Sequence, residues 1–382
     1  MRSKISVFLA AGAMIGLCGL TAPAQSEAER TQFKSLETDI KGLMEKSGIP
    51  GLSLAIVKDQ SMIFAKGFGV RTIGETDAVD EKTLFYVASI TKAFTADAIA
   101  LLVDSGKVSW DDPVIKHLPL FGLYDPYVTQ NITIRDVLTM QSGLTGEEVL
   151  KENPEKTREE IVADLRKLKP LGKFRSTLGA FNQSYLVAGQ VVSASGVVWD
   201  DFLREKILIP LGMSSTLSKF KDLEGKQNFA SPHGKIAGQI KPLPPANYDN
   251  YGPAESLVSN AVDLAQWVLL HLGNGQTKGK RLIREESMKE MHKPQGLTPD
   301  WARDIFNPHS RFNTRGMPWW NSEYKGLIVL DGPGSFAGGS ALVAFIPEKQ
   351  WGVVILANRA GFSPLVELKF KIFDLLLEGK IQ

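Results

Sequence analysis

Apolar residues recur at helical spacing between Glu27 and Gly48, where Phe33, Leu36, Ile40 and Leu43 fall on one face and Gly48-Ile49-Pro50 ends the run. This predicts an amphipathic helix packed against something. Two apolar runs follow in GLSLAIVKDQSMIFAKGFG, separated by Lys58-Asp59-Gln60, which reads as a β-hairpin. The window from Leu84 to Gly106 is apolar nearly throughout and free of proline, and Gly106 stands where a left-handed residue would end a helix. It predicts a buried helix opening near Ser89.

From the loop after VLTMQSGLTG to about Tyr251 the pattern offers no convincing strand. PEKTREEIVADLRKL, SYLVAGQVVSASG and WDDFLREKILIPLGM are helical patterns divided by Gly and Pro, and HGKIAGQIKPLPPANYDNYGPAE reads as a long surface loop. VSNAVDLAQWVLLHLGNG predicts a helix capped by Ser259 or Asn260 and closed by Gly273. Strand-like runs come at KGLIVLDG, SALVAFIPEK and WGVVILANRAG, and PLVELKFKIFDLLLEG is a last helix. The expected fold class is therefore α/β (α+β layered): an antiparallel sheet built from both termini and flanked by helices, with an inserted all-helical subdomain. Residues 25–115 and 251–382 form the expected α/β part, residues 116–250 the mainly helical part, and the active site is expected between them.

Composition narrows the function classes. A chain of 382 residues with 43% hydrophobic content can bury a sizeable core. MRSKISVFLAAGAMIGLCGLTAPAQS carries Arg2 and Lys4 ahead of a short apolar run and ends in Ala22-Pro23-Ala24. This is the pattern of a secretory signal peptide over residues 1–24, cut after Ala24, and it sets the expected location as periplasmic or secreted in a bacterium. Cys18, the one cysteine, lies inside that segment, and Leu17 before it is not the small residue that lipidation needs. Without Arg2 and Lys4 the chain holds 42 basic against 42 acidic residues, a balance that argues against a nucleic-acid partner. No membrane span is expected, and the sequence sets no oligomeric state. His117, His233, His271, His292 and His309 are scattered without ligand spacing, so neither a metal nor another cofactor is expected. A phosphate loop, a dinucleotide fingerprint and a G-x-S-x-G elbow are all missing.

The remaining chemistry is S-x-x-K at Ser89 and Lys92. Their three-residue spacing puts a hydroxyl and an amine on one helical face, about one turn apart. An apolar surrounding disfavours the ammonium and brings a neutral amine within reach of neutral pH, and that amine can activate the serine. N–H groups at the helix start can hold an oxyanion. The same spacing recurs at Ser218/Lys221 and Ser322/Lys325, but only the Ser89 copy opens a long apolar helix.

FYVASITKAFTADAIALLVDSGKVSWDDPV resembles the first motif region of the serine β-lactamase and penicillin-binding-protein superfamily, particularly class C β-lactamases, family VIII carboxylesterases and D-aminopeptidases. VLTMQSGL is similar to that group's loop after the nucleophile helix. NQSYLVAGQVVSASGVVWDDFLREKILIPLGMSST resembles its second motif region, and VSNAVDLAQWV and GGSALVAFIPEKQWGVVILAN resemble the third. The resemblance runs in order over nearly the whole chain after the leader. It implies an acyl-enzyme on Ser89, Lys92 as base, and Asn182 orienting the substrate. It also implies an oxyanion hole from the N–H groups of Ser89 and Ser335.

Two departures stand out. The family's second motif, Tyr-x-Asn, aligns as Ala180-Phe181-Asn182, with Tyr185 at the following tyrosine; the third, Lys-Thr-Gly or His-x-Gly, aligns as Gly332-Pro333-Gly334. A positioned general base is worth about two to four powers of ten in rate. Losing the tyrosine therefore calls for a substitute, and losing the third-motif cation removes an anchor for a substrate carboxylate. Both count against β-lactamase activity. Tyr248, Tyr251 and Glu255, in the loop that borders the family's active site, are candidates to replace the base. Tyr185, Gly332, Gly334, Tyr251 and Glu255 are expected near the substrate, whereas Asp331 reads as a strand-end residue. The sequence thus supports an exported serine hydrolase acting on an ester, amide or peptide bond of a small molecule or peptide. The alternative is a catalytically weakened homologue that binds a peptide or cell-wall fragment.

Overall fold

The computed structural model describes residues 27–145, 155–176, 178–179, 182–298 and 300–380. The signal-peptide segment and Cys18 lie outside them. Helix α1 (Glu27–Ser47) ends at Gly48, whose φ of 61° is the left-handed conformation expected of a terminating glycine. Strands β1 (Gly51–Lys58) and β2 (Ser61–Gly69) form the expected hairpin, with Asp59 and Gln60 both at positive φ, the geometry that matches strand twist in a two-residue turn.

Six further strands complete one sheet: β3 (Gly296–Leu297), β4 (Asn313–Arg315), β5 (Trp320–Tyr324), β6 (Leu327–Phe336), β7 (Gly339–Ile346) and β8 (Trp351–Ala357). Their order is β2-β1-β8-β7-β6-β5-β4-β3, with every neighbouring pair antiparallel. Leu52 faces Ala357 across β1 and β8, so the first strand of the chain is locked to the last.

Helices α2 (Thr91–Asp104), α3 (Asn182–Ser193), α4 (Gly252–Glu255), α5 (Ala261–Leu272), α6 (Asp300–Phe306) and α7 (Ser363–Leu377) place the site. Alternate residues of β7 and β8 serve two cores, as the two-residue strand period requires. Ala341, Val343, Phe345, Val354 and Leu356 join the core beneath α2 and α5. Leu342, Ala344, Ile346, Val353 and Ile355 face α1 and α7. Burial on both faces is why these strands read as continuous apolar runs. Large antiparallel sheet and flanking helices match the expected fold class.

Helix α2 is buried on nearly all sides, and its polar side chains are each given a partner. Thr95 Oγ1 donates to the Pro253 carbonyl at 2.7 Å and accepts from Trp199 Nε1 at 3.0 Å. Asp97 Oδ2 accepts from Trp267 Nε1 at 2.7 Å. These bonds fix the rotation of α2 about its axis, and so the direction in which Lys92 points. The cap of α5 is Asn260, whose Oδ1 accepts from the Asp263 N–H.

Two stretches differ from the sequence expectation. The long surface loop after His233 contains a hairpin, His233–Ile236 with Gln239–Pro242, turning through Ala237 and Gly238 at positive φ. Strands β3, β4 and β5 extend the sheet ahead of Tyr324; they are two, three and five residues long, too short for a period to emerge.

Candidate active site

Ser89 sits in a 3₁₀ turn, Ala88–Ile90, that runs directly into α2. In a 3₁₀ turn residues i and i+3 eclipse, which stacks Ser89 over Lys92 more closely than an α-helix would. Ala88, just before the serine, has a φ of 46°, a left-handed backbone that costs a residue with a Cβ energy and that clusters at functional sites. Lys92 Nζ lies 2.7 Å from Ser89 Oγ, 2.8 Å from Asn182 Oδ1 and 3.2 Å from the Ala254 carbonyl oxygen. Three elements distant in sequence, the α2 start, the first residue of α3 and α4, thus meet at one nitrogen.

The hydrogen-bonding capacity of these groups assigns their roles. Asn182 Oδ1 and the Ala254 carbonyl can only accept, whereas a serine hydroxyl can donate or accept. A neutral Lys92 has two hydrogens and one lone pair. Both hydrogens are taken by the two acceptors, and the lone pair is left for the Ser89 hydroxyl. Burial pushes the Lys92 ammonium down to about 8; the Glu255 carboxylate works against that and the Arg315 guanidinium adds to it. At pH 7 about one-tenth of Lys92 is then the free amine, against fewer than one in a thousand for an ordinary lysine.

Asn182 is itself oriented from behind. Its Nδ2 donates to Glu255 Oε2 at 2.8 Å, and because a carboxylate only accepts, that bond turns Oδ1 toward Lys92. Glu255 therefore contacts Asn182, one step removed from Ser89.

The serine opens into a cavity of about 220 Å³ shared by Lys92, Asn182, Gly332 and Ser335, with Trp301, Phe306, Trp320 and Phe362 among its walls. Gly334 packs so closely that a Cβ there would stand 2.1 Å from the Val87 carbonyl oxygen and 3.1 Å from the Ser89 nitrogen. Only glycine lets β6 run alongside the serine. Gly332 is explained in the same way: a Cβ would meet the ring of the buried Trp319 at 2.9 Å. That indole occupies the space into which a third-motif side chain would emerge.

Ser89, Lys92, Asn182, Gly332 and Ser335 line one cavity, and Gly334 packs against the backbone of Val87 and Ser89. Three residues expected near the substrate do not line the cavity: Glu255, which contacts Asn182 instead, Tyr185 and Tyr251. Tyr185 is fully buried, its hydroxyl donating to the Leu138 carbonyl at 2.6 Å and its ring 5.9 Å from Lys92 Nζ, so it packs behind the lysine. Tyr251 is likewise buried and off the cavity wall. Tyr248 packs edge-on against Tyr86 and Phe336. Ala180 and Phe181 lie outside the described residues. The other S-x-x-K copy on the sheet is taken up structurally: Ser322 Oγ accepts from Asn307 Nδ2, and Lys325 pairs with Asp374.

Several buried groups were not legible in the sequence. Asp331 is paired with Lys369 at 2.9 Å in full burial, and Lys369 also donates to the Phe306 carbonyl at 2.8 Å. That one ammonium ties α7 to β6 and to α6, two walls of the cavity. A lysine in an otherwise apolar face of the last helix was its only signal. His271 and His292, 21 residues apart, meet at 3.0 Å beside Asp97 and Trp319, and burial holds the His292 imidazole well below 6.5. Arg315 reaches the cavity from β4. Among the described residues no cluster of three or more His, Cys, Asp or Glu side chains forms a metal site, and no helix is long and apolar enough to cross a membrane.

Comparison with known proteins agrees with this geometry. The chain is 29% identical over 338 residues to the "Unguisins hydrolase ungD'" of Aspergillus campestris, covering 84% of this chain and 60% of that protein. It is 25% identical over 338 residues to "Protein flp" of Staphylococcus aureus strain MW2, covering 85% and 63%. The chain thus spans about six-tenths of the length of these relatives. Among solved structures it superposes on the octameric penicillin-binding protein homologue from Pyrococcus abyssi with a TM-score of 0.79 at 26% identity, covering 91% of this chain and 77% of that one. A class C β-lactamase from Rhodobacter sphaeroides gives a TM-score of 0.72 at 21% identity over 92% and 100% of the two chains, a likeness of fold. The Beta-lactamase family model matches residues 36–376. By that match, on the fold and around the Ser89–Lys92 pair described above, the chain belongs to the Beta-lactamase family, a superfamily of serine hydrolases.

Proposed function

We propose that this chain is an exported serine hydrolase that cleaves an ester, amide or peptide bond through an acyl-Ser89 intermediate, with β-lactams not its main substrates. The observation that carries the reading is the bond pattern of Lys92, whose two obligate acceptors leave its lone pair to Ser89. In acylation the Ser89 proton passes to Lys92 Nζ as Oγ bonds to the substrate carbonyl carbon. The resulting oxyanion is held by the N–H groups of Ser89 and Ser335. Collapse breaks the bond to the leaving group, which takes the proton from Lys92. A water then attacks the acyl carbon, gives its proton to Lys92, and frees the acid as Oγ recovers that proton.

Glu255 and Asn182 together do the work for which the family uses its second-motif tyrosine: they orient the base and favour the ammonium formed in the transition state. The hydrolase names of the fungal relatives support the same chemistry, without indicating the substrate here. The N-terminal leader pattern supports export. The second reading, a weakened homologue that binds a peptide or cell-wall fragment, is favoured by one observation, the filling of the third-motif space by Trp319. Steady-state turnover of a panel of p-nitrophenyl esters separates the two. Turnover that Ser89→Ala and Lys92→Met each abolish supports the hydrolase. Turnover that survives both variants, or none in the parent chain, supports the binding protein.

A further inference from the structure

Two packed imidazoles stand behind the wall of the catalytic cavity, and the mechanism gives them no task. His271, on α5, is buried, and His292 closes the helix Glu285–His292. Nδ1 of the first lies 3.0 Å from Nε2 of the second. On its other side His271 Nε2 faces Asp97 Oδ2 at 3.4 Å, an oxygen that also accepts from Trp267 Nε1. A carboxylate only accepts, so a neutral His271 carries its hydrogen on Nε2, and its Nδ1 is the lone pair that receives the His292 N–H. The bond survives one further proton, because a single imidazolium still donates to a neutral ring. With both rings protonated, two N–H groups face each other and the bond is lost.

Trp319 stands between this pair and the cavity. Its ring is 5.0 Å from His271, 6.0 Å from His292 and 4.8 Å from Phe345 of β7, and it fills the space in front of Gly332. The end of the His292 helix also holds the chain on both sides of that indole. The Met291 carbonyl accepts from the Met317 N–H at 2.8 Å, and the His292 carbonyl accepts from Asn321 Nδ2. Other charges on these elements are committed elsewhere: Asp104 of α2 to the Arg284 N–H and the Ser287 hydroxyl, and Glu290 to Arg135 and Lys293. Asp97 is the carboxylate that faces the pair, and it can balance one imidazolium but not two.

We propose that His271 and His292 form an acid-operated latch. It seats Trp319 against Gly332 while at most one imidazole is charged, and releases the indole when both are. The latch belongs to the fold and does not depend on turnover at Ser89. Burial, with the neighbouring His271, keeps His292 in the folded chain well below 6.5. Below about that pH the unfolded chain therefore binds more protons, so the latch's contribution to stability is complete above it and is lost as pH falls.

Urea unfolding of the parent chain and of His292→Gln, which donates to His271 but takes up no proton, tests this between about pH 7.5 and 5. One proton taken up only on unfolding raises the unfolding constant about tenfold per pH unit. Between about pH 6.5 and 5 the parent should therefore lose roughly 10- to 30-fold more than His292→Gln. The near-UV circular dichroism of Trp319, identified by its absence in Trp319→Phe, should weaken reversibly over the same range in the parent and stay constant in His292→Gln. Equal pH dependence in the two chains, or a Trp319 signal that does not change in the parent, overturns the proposal. If His292→Gln does not fold, imidazole ¹⁵N NMR of the parent decides: two charged rings beside an unchanged Trp319 signal contradict the latch, and one ring staying neutral until that signal changes supports it. Activity is not the readout, because Lys92 titrates as well; the hydrolase reading fails separately, by absence of ester turnover above about pH 8.

Discussion

Asn182 donates its side-chain N–H to Glu255 Oε2 over 2.8 Å and presents the opposite end of the same amide to Lys92 at 2.8 Å. One carboxylate on α4 thereby decides which way round a side chain on α3 stands. The base on α2 depends on that choice, because a flipped amide would put hydrogens against the hydrogens of Lys92.

Removing the amide should therefore cost more than its own bond. Asn182→Leu leaves Lys92 with one fixed acceptor, and its lone pair is no longer reserved for Ser89. Loss of about 10²- to 10³-fold in kcat/KM is expected with a small change in melting temperature, the scale of a displaced general base. A fall of less than about threefold would show that Lys92 is oriented by something else.

The pH profile reads the charges around Lys92. Its amine, not its ammonium, activates Ser89, and burial brings that group to about 8, so kcat/KM should climb with pH and level off above that value. Glu255 raises the Lys92 pKa and Arg315 lowers it. Glu255→Gln should accordingly move the rising limb to lower pH and Arg315→Met to higher pH. Shifts of the same sign in both variants would refute this electrostatic account.

Behind the cavity, Lys369 carries the one ion-pair contact of the buried Asp331 among the described residues. Lys369→Met strands that carboxylate and frees the Phe306 carbonyl, for an expected loss of about 3–5 kcal/mol in denaturant unfolding, typical of breaking a buried pair. Lys369→Met with Asp331→Leu should recover most of it, since no charge is then left unpaired. A double variant no better than the single one would contradict the pairing.

How much of this was legible in the sequence follows from where the signals lie. Ser89 and Lys92 are three residues apart on an apolar helix, and Gly106 closes it, so local spacing carried both the helix and its chemistry. Strands β7 and β8 announced themselves because both faces are buried. Gly332 and Trp319, by contrast, are 13 residues apart and meet only once β5 and β6 pair, so an apparent loss in the motif could not be recognised as a filled space. Asp331 with Lys369, and Arg315 with the cavity, are long-range pairings of the same kind. Tyr185 stands at a family position that is usually a packing one, and its full burial accords with that place and not with a substrate contact.

The central claim is that Lys92 activates Ser89. Its most direct test is intact-protein mass spectrometry after exposure to a fluorophosphonate, for the parent chain, Ser89→Ala and Lys92→Met. The account predicts one adduct per chain in the parent, forming faster as pH rises through about 8, and none in either variant. No adduct between about pH 6 and 10, or one that persists in Ser89→Ala, would contradict it.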